Sequence, residues 1–209
     1  DADLLREGHP LSFDAGYLAE LLGILQENGF LSPGEDGADY QFHHALARDA
    51  AYNLLSFAQR ESLHQKTAEA LEAKHDGNTE RVNARLGYHF RMAGRKEKAA
   101  PYLGAAGQTA LDAYAHSDAI ELLTTALELD EEHRGTDIGV DLSRATWTRL
   151  IGEAYYNQDN QPSAAVWYQR STREAGVAPQ YPVASIFPTL FRAIFAPKTL
   201  TTPPAKNLT

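Results

Sequence analysis

Two histidines stand side by side at His43 and His44, with Arg48 and Asp49 just beyond them, in the stretch YQFHHALARDAAYNLL from Tyr40 to Leu55. Paired imidazoles near a carboxylate are raw material for a metal site or for acid–base catalysis. Their spacing argues against both. Adjacent residues of a helix point about 100° apart, so the two rings cannot converge on one ion from regular helix. A helix-borne pair wants a spacing of four, and four beyond His43 and His44 stand Ala47 and Arg48. His44 is therefore expected at a hairpin–helix junction, bonding backbone or a carboxylate, with a metal, catalytic, or pH- or interface-sensing role as the alternatives. His64, one turn after Arg60, is expected to make a helix-to-helix polar contact.

Other groups could also do chemistry. Glu128, Asp130, Glu131 and Glu132 cluster at an expected helix end and could pair as acid and base; a solvated terminus is the plainer expectation. Arg91, Arg95, Lys96 and Lys98 gather around a turn, suited to an acidic peptide or a neighbouring domain, or simply solvated. No GxxxxGK, GxGxxG, HExxH or GxSxG occurs. The chain has no Cys, which removes disulfides, thiolate zinc and cysteine nucleophiles. No catalytic, metal-binding or cofactor-binding residue is assigned, and the chain is expected not to be an enzyme. The net charge of −9 argues against a general affinity for nucleic acid. No apolar run approaches the roughly 20 residues of a membrane span. A cytoplasmic setting is expected, without nucleic acid or membrane as partner.

The elements around these residues read as mostly all-α. SFDAGYLAELLGILQENG places Tyr17, Leu18, Leu21, Leu22 and Leu25 at helical spacing, with Ser12 or Asp14 as N-cap and Gly29 as stop. Phe30–Leu31 and Tyr40–Phe42 flank a Pro/Gly/Asp turn and read as a small β-hairpin. Residues 1–42 thus read as a partial winged helix. The helix in its recognition position carries Asp14, Glu20 and Glu27 and no Lys or Arg, so it is a spacer rather than a DNA reader. Residues 43–79 form a connecting helical pair, His44–Phe57 with Leu46, Ala50, Leu54 and Phe57 on one stripe, and Gln59–Lys74 with Leu63, Ala70 and Leu71.

Residues 80–196 read as stacked helical hairpins. RLGYHFRMAGRKEKAAPYLGAA aligns with LIGEAYYNQDNQPSAAVWYQRS at an offset of 65, pairing Gly87 with Gly152, Phe90 with Tyr155, Ala99 with Ala164 and Leu103 with Tyr168. The small residue lets the next helix approach, Ala99 or Ala164 receives the bulky residue, and the Leu or aromatic four later is expected to fill the gap to the next hairpin. A weaker copy, Gly107, Ala110, Ala119, Leu123 and Ala126, begins 20 residues after the first. Lys96–Tyr114 is accordingly expected to be one long helix serving both neighbours. Phe187, Phe191 and Phe195 then form an apolar face that needs a cover, so the array is expected either to have been cut there or to bind something. Residues 197–209 are expected to be a polar, disordered tail. The chain opens on Asp1 and its only Met is Met92, so a piece of a longer protein is expected.

The hairpin spacing resembles the tetratricopeptide repeat, whose unit is about 34 residues, here in an irregular superhelix. The order of pieces, with Phe42, His44, Leu46, Ala51–Tyr52, Leu54–Leu55, Arg60 and Leu63–His64, resembles the region behind the nucleotide-binding domain of multidomain signalling ATPases with adenylate-cyclase or LuxR-type output domains. The resemblance implies a non-catalytic interaction and regulatory module that binds a protein, a peptide or neighbouring domains on the concave face. By spacing that face would carry Arg81, Tyr88, Arg91 and Met92 in one hairpin and Arg149, Glu153, Tyr156 and Asn157 in another. The alternative is an inducer-sensing module of a transcriptional regulator.

Overall fold

The computed structural model describes residues 15–34, 40–75, 77–136 and 139–177. Among them are eight α-helices and one two-stranded antiparallel sheet, so the protein is mostly α with one small β-hairpin. Helix α1 (Ala15–Glu27) ends at Gly29, whose φ of 74° lets the Phe30 amide reach back to the Leu25 carbonyl. Strands β1 (Leu31–Pro33) and β2 (Tyr40–Phe42) follow, with Leu31 opposite Phe42. Leu22 and Leu31 are buried here, while Tyr17 and Leu25 stay exposed.

The connecting pair differs from the expectation in two ways. Helix α2 (Ala45–Leu54) stops early because Ser56 and Gln59 form a reciprocal capping box: the Gln59 amide donates to Ser56 Oγ and the Ser56 amide to Gln59 Oε1. Phe57 therefore opens α3 (Phe57–His75) instead of closing α2. Leu46, Leu54 and Phe57 are also 83%, 86% and 74% exposed, so the stripe that would have been a core is an open apolar row among the described residues. Helical spacing shows that a face is apolar, not that something covers it. Helix α3 does bury Ala68, Ala70 and Leu71, with Leu63 half-buried.

A 3₁₀ turn (Glu80–Val82) leads into α4 (Asn83–Met92), α5 (Lys96–Asp112), α6 (His116–Arg134), α7 (Leu142–Asn157) and α8 (Gln161–Glu174). Each packs on the next, and α5 also touches α7. The core runs through these helices, from Leu86 and Phe90 through Leu103, Leu123 and Leu127 to Leu150 and Ile151.

Three hairpins obey one rule. A Cβ on Gly87 would lie 2.6 Å from the Leu103 side chain, one on Gly107 2.5 Å from Leu123, and one on Gly152 2.9 Å from Tyr168. In each case the bulky partner is sixteen residues on, and the alanine four before it is fully or almost fully buried: Ala99, Ala119 and Ala164. The bulky residue thus packs over the glycine of its own hairpin, and Leu103 and Leu123 also belong to the continuous core. The turns repeat as well. Gly94, Tyr114 and Asp159 have φ of 68°, 61° and 59°, and the amide after each bonds the carbonyl of Phe90, Ala110 or Tyr155. Because α5 carries both Leu103 and Gly107, one helix closes the first hairpin and opens the second, as the 20-residue offset predicted. Gly104 on that helix admits the Trp147 indole of α7.

The loop before α7 is pinned by a charged network. Arg144, fully buried, donates from Nε to Asp130 Oδ2 at 2.6 Å and from Nη2 to the Gly135 carbonyl at 2.6 Å. Arg134 donates to Asp130 and, at 2.8 Å, to Asp141, whose other oxygen caps α7 through the Arg144 amide. Burial alone would raise the Asp141 carboxyl; that amide and Arg134 outweigh it and hold it below its usual value. Asp130 is therefore no part of a solvated terminus, and Glu131 is half-buried against Arg170. Glu132 stays on the surface, paired with Lys96. The expected C-terminal helix with Phe187, Phe191 and Phe195, the polar tail, and the Ser12 or Asp14 cap lie outside the described residues.

Candidate functional site

The His43–His44 pair makes no bonded site. His44 is the extended N-cap residue of α2 with no side-chain cap bond, and its ring meets that of His43 edge-on at 5.5 Å. The junction is as expected; the expected side-chain bond is not made. Both rings are exposed.

The chemistry lies instead where α2, α3 and α4 meet. His64 is buried, and its Nε2 lies 3.0 Å from the Tyr52 hydroxyl while its Nδ1 lies 2.9 Å from Nδ1 of His89. Such an Nδ1–Nδ1 bond needs one nitrogen protonated and the other bare, so both rings cannot carry a full proton complement together. Burial lowers the pKa of His64; burial, the His64 charge and Arg85 push His89 down to about 4. With the two nitrogens directed at each other, their lone pairs do not converge on an ion, and among the described residues no group of three or more His, Asp or Glu could hold a metal.

Other groups frame this pair. Arg60 stacks over the Tyr52 ring at 4.8 Å and donates to the Leu55 carbonyl. The Tyr88 ring stands edge-on to both imidazoles, at 5.7 Å from His64 and 5.3 Å from His89. Glu61 of α3 faces the turn after α4 at Gly94. On the α5 side, Lys98 and the Tyr102 hydroxyl both bond Glu72 of α3, and burial with that carboxylate pushes the Tyr102 hydroxyl up to about 12. His64 thus makes the interhelical polar contact expected of it, with partners that sequence spacing could not name.

Of the expected interaction residues, Arg81, Tyr88 and Arg91 are exposed and Met92 half-buried on or just before α4. Arg149, Glu153 and Tyr156 are half-buried and Asn157 exposed on α7, with Arg149 bonded to Glu153 at 2.8 Å. The structure does not bring the two sets together by packing: α4 lies against α3 and α5, α7 against α5, α6 and α8. The expected basic patch is mostly neutralised, since Arg95 pairs with Glu97, Lys96 with Glu132 and Lys98 with Glu72. Arg85, exposed one turn after Arg81, was not singled out from the sequence; the recurrence Arg81, Arg85, Tyr88, Met92 at helical spacing was the available signal. No described helix is long and apolar enough to cross a membrane. No protein-family model, curated protein or solved structure matches the chain.

Proposed function

We propose that the chain is a non-catalytic protein-interaction and regulatory module of a larger cytoplasmic signalling protein, in which a partial winged helix precedes tetratricopeptide-like hairpins. The observation that carries this reading is the hairpin rule itself. Three glycine contacts and three matching turns make a stiff scaffold whose interior is conserved in pattern while its outer side chains vary from copy to copy, the arrangement repeat proteins use for binding. The exposure of the large apolar side chains Leu46, Leu54 and Phe57 adds support, because apolar surface left open to solvent is a feature of interaction surfaces. A partner or neighbouring domain held on the scaffold shifts the balance between two arrangements of the parent protein by its difference in affinity for them.

The test is retention of cellular proteins on the immobilised chain, comparing the native form with Arg149→Ala/Tyr156→Ala. Loss of a specific retained protein is expected; an identical retained set would remove the α7 face from the proposal. A second reading, an inducer-sensing module of a transcriptional regulator, draws on an open cleft of about 650 Å³ lined by Glu131, Val140, Arg170, Arg173 and Glu174. Small ligands that raise the melting temperature, with the effect lost on Arg173→Ala, would favour that reading.

A further inference from the structure

Helix α4 gathers three guanidinium groups that no carboxylate among the described residues meets. Many guanidinium and ammonium groups elsewhere are paired, as in Arg48–Asp49, Arg95–Glu97, Lys98–Glu72, Arg134–Asp130 and Arg170–Glu131, with Arg60 and Arg173 as scattered exceptions. Among the described residues no carboxylate lies within ion-pair distance of Arg81, Arg85 or Arg91, although acids outnumber bases by 28 to 19 in the chain. Arg81 and Arg85 also sit at the N-terminal end of the helix, where the backbone dipole presents its positive pole and disfavours cations. Local helix energetics therefore do not account for them.

Between these cations lies apolar surface. Arg81, Arg85, Tyr88 and Met92 recur at helical spacing on one face, with Arg91 at its edge. Tyr88 is 46% exposed, yet its ring is backed by the His64 and His89 imidazoles, so little rotamer freedom remains to be lost on binding.

We propose that this face of α4 binds an acidic peptide segment of a partner protein, with Arg81, Arg85 and Arg91 meeting its carboxylates and Tyr88 and Met92 packing on an apolar residue between them. The inference rests on the interaction-module reading and adds the chemistry of the partner, on a helix separate from the Arg149 face. Carboxylates suit the excess of unpaired guanidinium groups. A nucleic acid is the poorer fit, because the net charge of −9 would repel a polyanion that extends beyond a single helix.

The probe is a short fluorescent peptide of glutamates around one central leucine, titrated by anisotropy into the full 209-residue chain. Binding should weaken as salt rises, and by about tenfold in Arg81→Gln/Arg85→Gln/Arg91→Gln, taking each exposed charge at the small value such pairs carry. Tyr88→Ala and replacement of the peptide leucine by glycine should each weaken it several-fold, whereas Arg95→Gln, whose guanidinium already serves Glu97, should not. Equal unfolding midpoints establish that the variants fold, and single Arg→Gln changes serve if the triple variant does not. No binding by the native chain, an unchanged isotherm in the triple variant, or tighter binding of an oligonucleotide of equal charge overturns the proposal. If the native chain retains proteins that Arg149→Ala/Tyr156→Ala loses but binds no acidic peptide, this inference fails while the interaction-module reading survives. Arginine-dependent peptide binding with capture unaffected at Arg149 and Tyr156 sinks the α7 face and leaves the α4 assignment standing.

Discussion

Gly104→Ala tests the packing logic of the array most directly. An added Cβ would lie 2.2 Å from Nε1 of Trp147 and 2.6 Å from its Cε2, and the indole is a rigid plane that cannot bend away as a leucine can. Overpacking a buried contact costs about 1–3 kcal/mol, and the crowding here belongs at the upper end. Alanine gains about 1 kcal/mol over glycine in a helix interior. The net expectation is a loss of about 1–2 kcal/mol. At about 2–4 °C per kcal/mol for a chain of this size, the melting temperature should fall by several degrees, read by circular dichroism with urea titration for the free energy. The attribution to Trp147 is checked by a double-mutant cycle. In a Trp147→Leu background the same glycine change should be at least about 1 kcal/mol milder, because the smaller side chain leaves room for the methyl. Two substitutions additive to within about 0.5 kcal/mol would refute the claim that the indole dictates glycine here.

Three further outcomes are expected. Asp130→Ala leaves the fully buried Arg144 without its carboxylate and removes one of the two carboxylates of Arg134, so a loss of about 3–5 kcal/mol is expected in urea unfolding; a loss under 1 kcal/mol would show that the network is incidental. Tyr114→Gly should stabilise by about 1 kcal/mol, because Tyr114 holds φ 61° where the equivalent turn uses Gly94; a lower melting temperature would mean that its side chain contributes more than its backbone strain removes. His89 is held near pKa 4 when folded and returns to the ordinary histidine value of about 6.5 when unfolded, so the unfolded chain binds its proton first. Its contribution to stability is complete above about pH 6.5 and is lost as pH falls from there toward 4, and His89→Gln should flatten the urea midpoint over that window. Identical pH profiles for the two proteins would contradict this.

The parts legible in the sequence were those governed by periodic spacing. Gly87–Leu103 and Gly152–Tyr168 repeat at one interval, and the weaker copy at Gly107–Leu123 was visible because its internal distances matched. The capping box at Ser56 and Gln59 is equally local, but the apolar stripe that runs across it reads as one continuous helix. Burial was harder to read than periodicity, since Leu46 and Leu54 are well spaced and still open. Contacts across a loop left no pattern at all: nothing in the spacing of Asp130 and Arg144 announces a buried pair, and a run of acids invites the opposite reading. The His64–His89 bond joins two helices through residues 25 positions apart and was legible only from the His64 side. The candidate face on α4 was partly visible through Arg81, Tyr88, Arg91 and Met92, while its lack of carboxylates required the packed structure.

The double duty of α5 bears on how the array comes apart. No cut through the chain can separate the first two hairpins whole, because Leu103 and Gly107 stand a single turn apart on the same rod and belong to different neighbours. Fraying from either end must halt at α5 or carry it away with everything attached. Deuterium uptake along α5 should consequently be uniform and slow from Ala99 to Leu111, the signature of one cooperative block in place of a stack of separable modules.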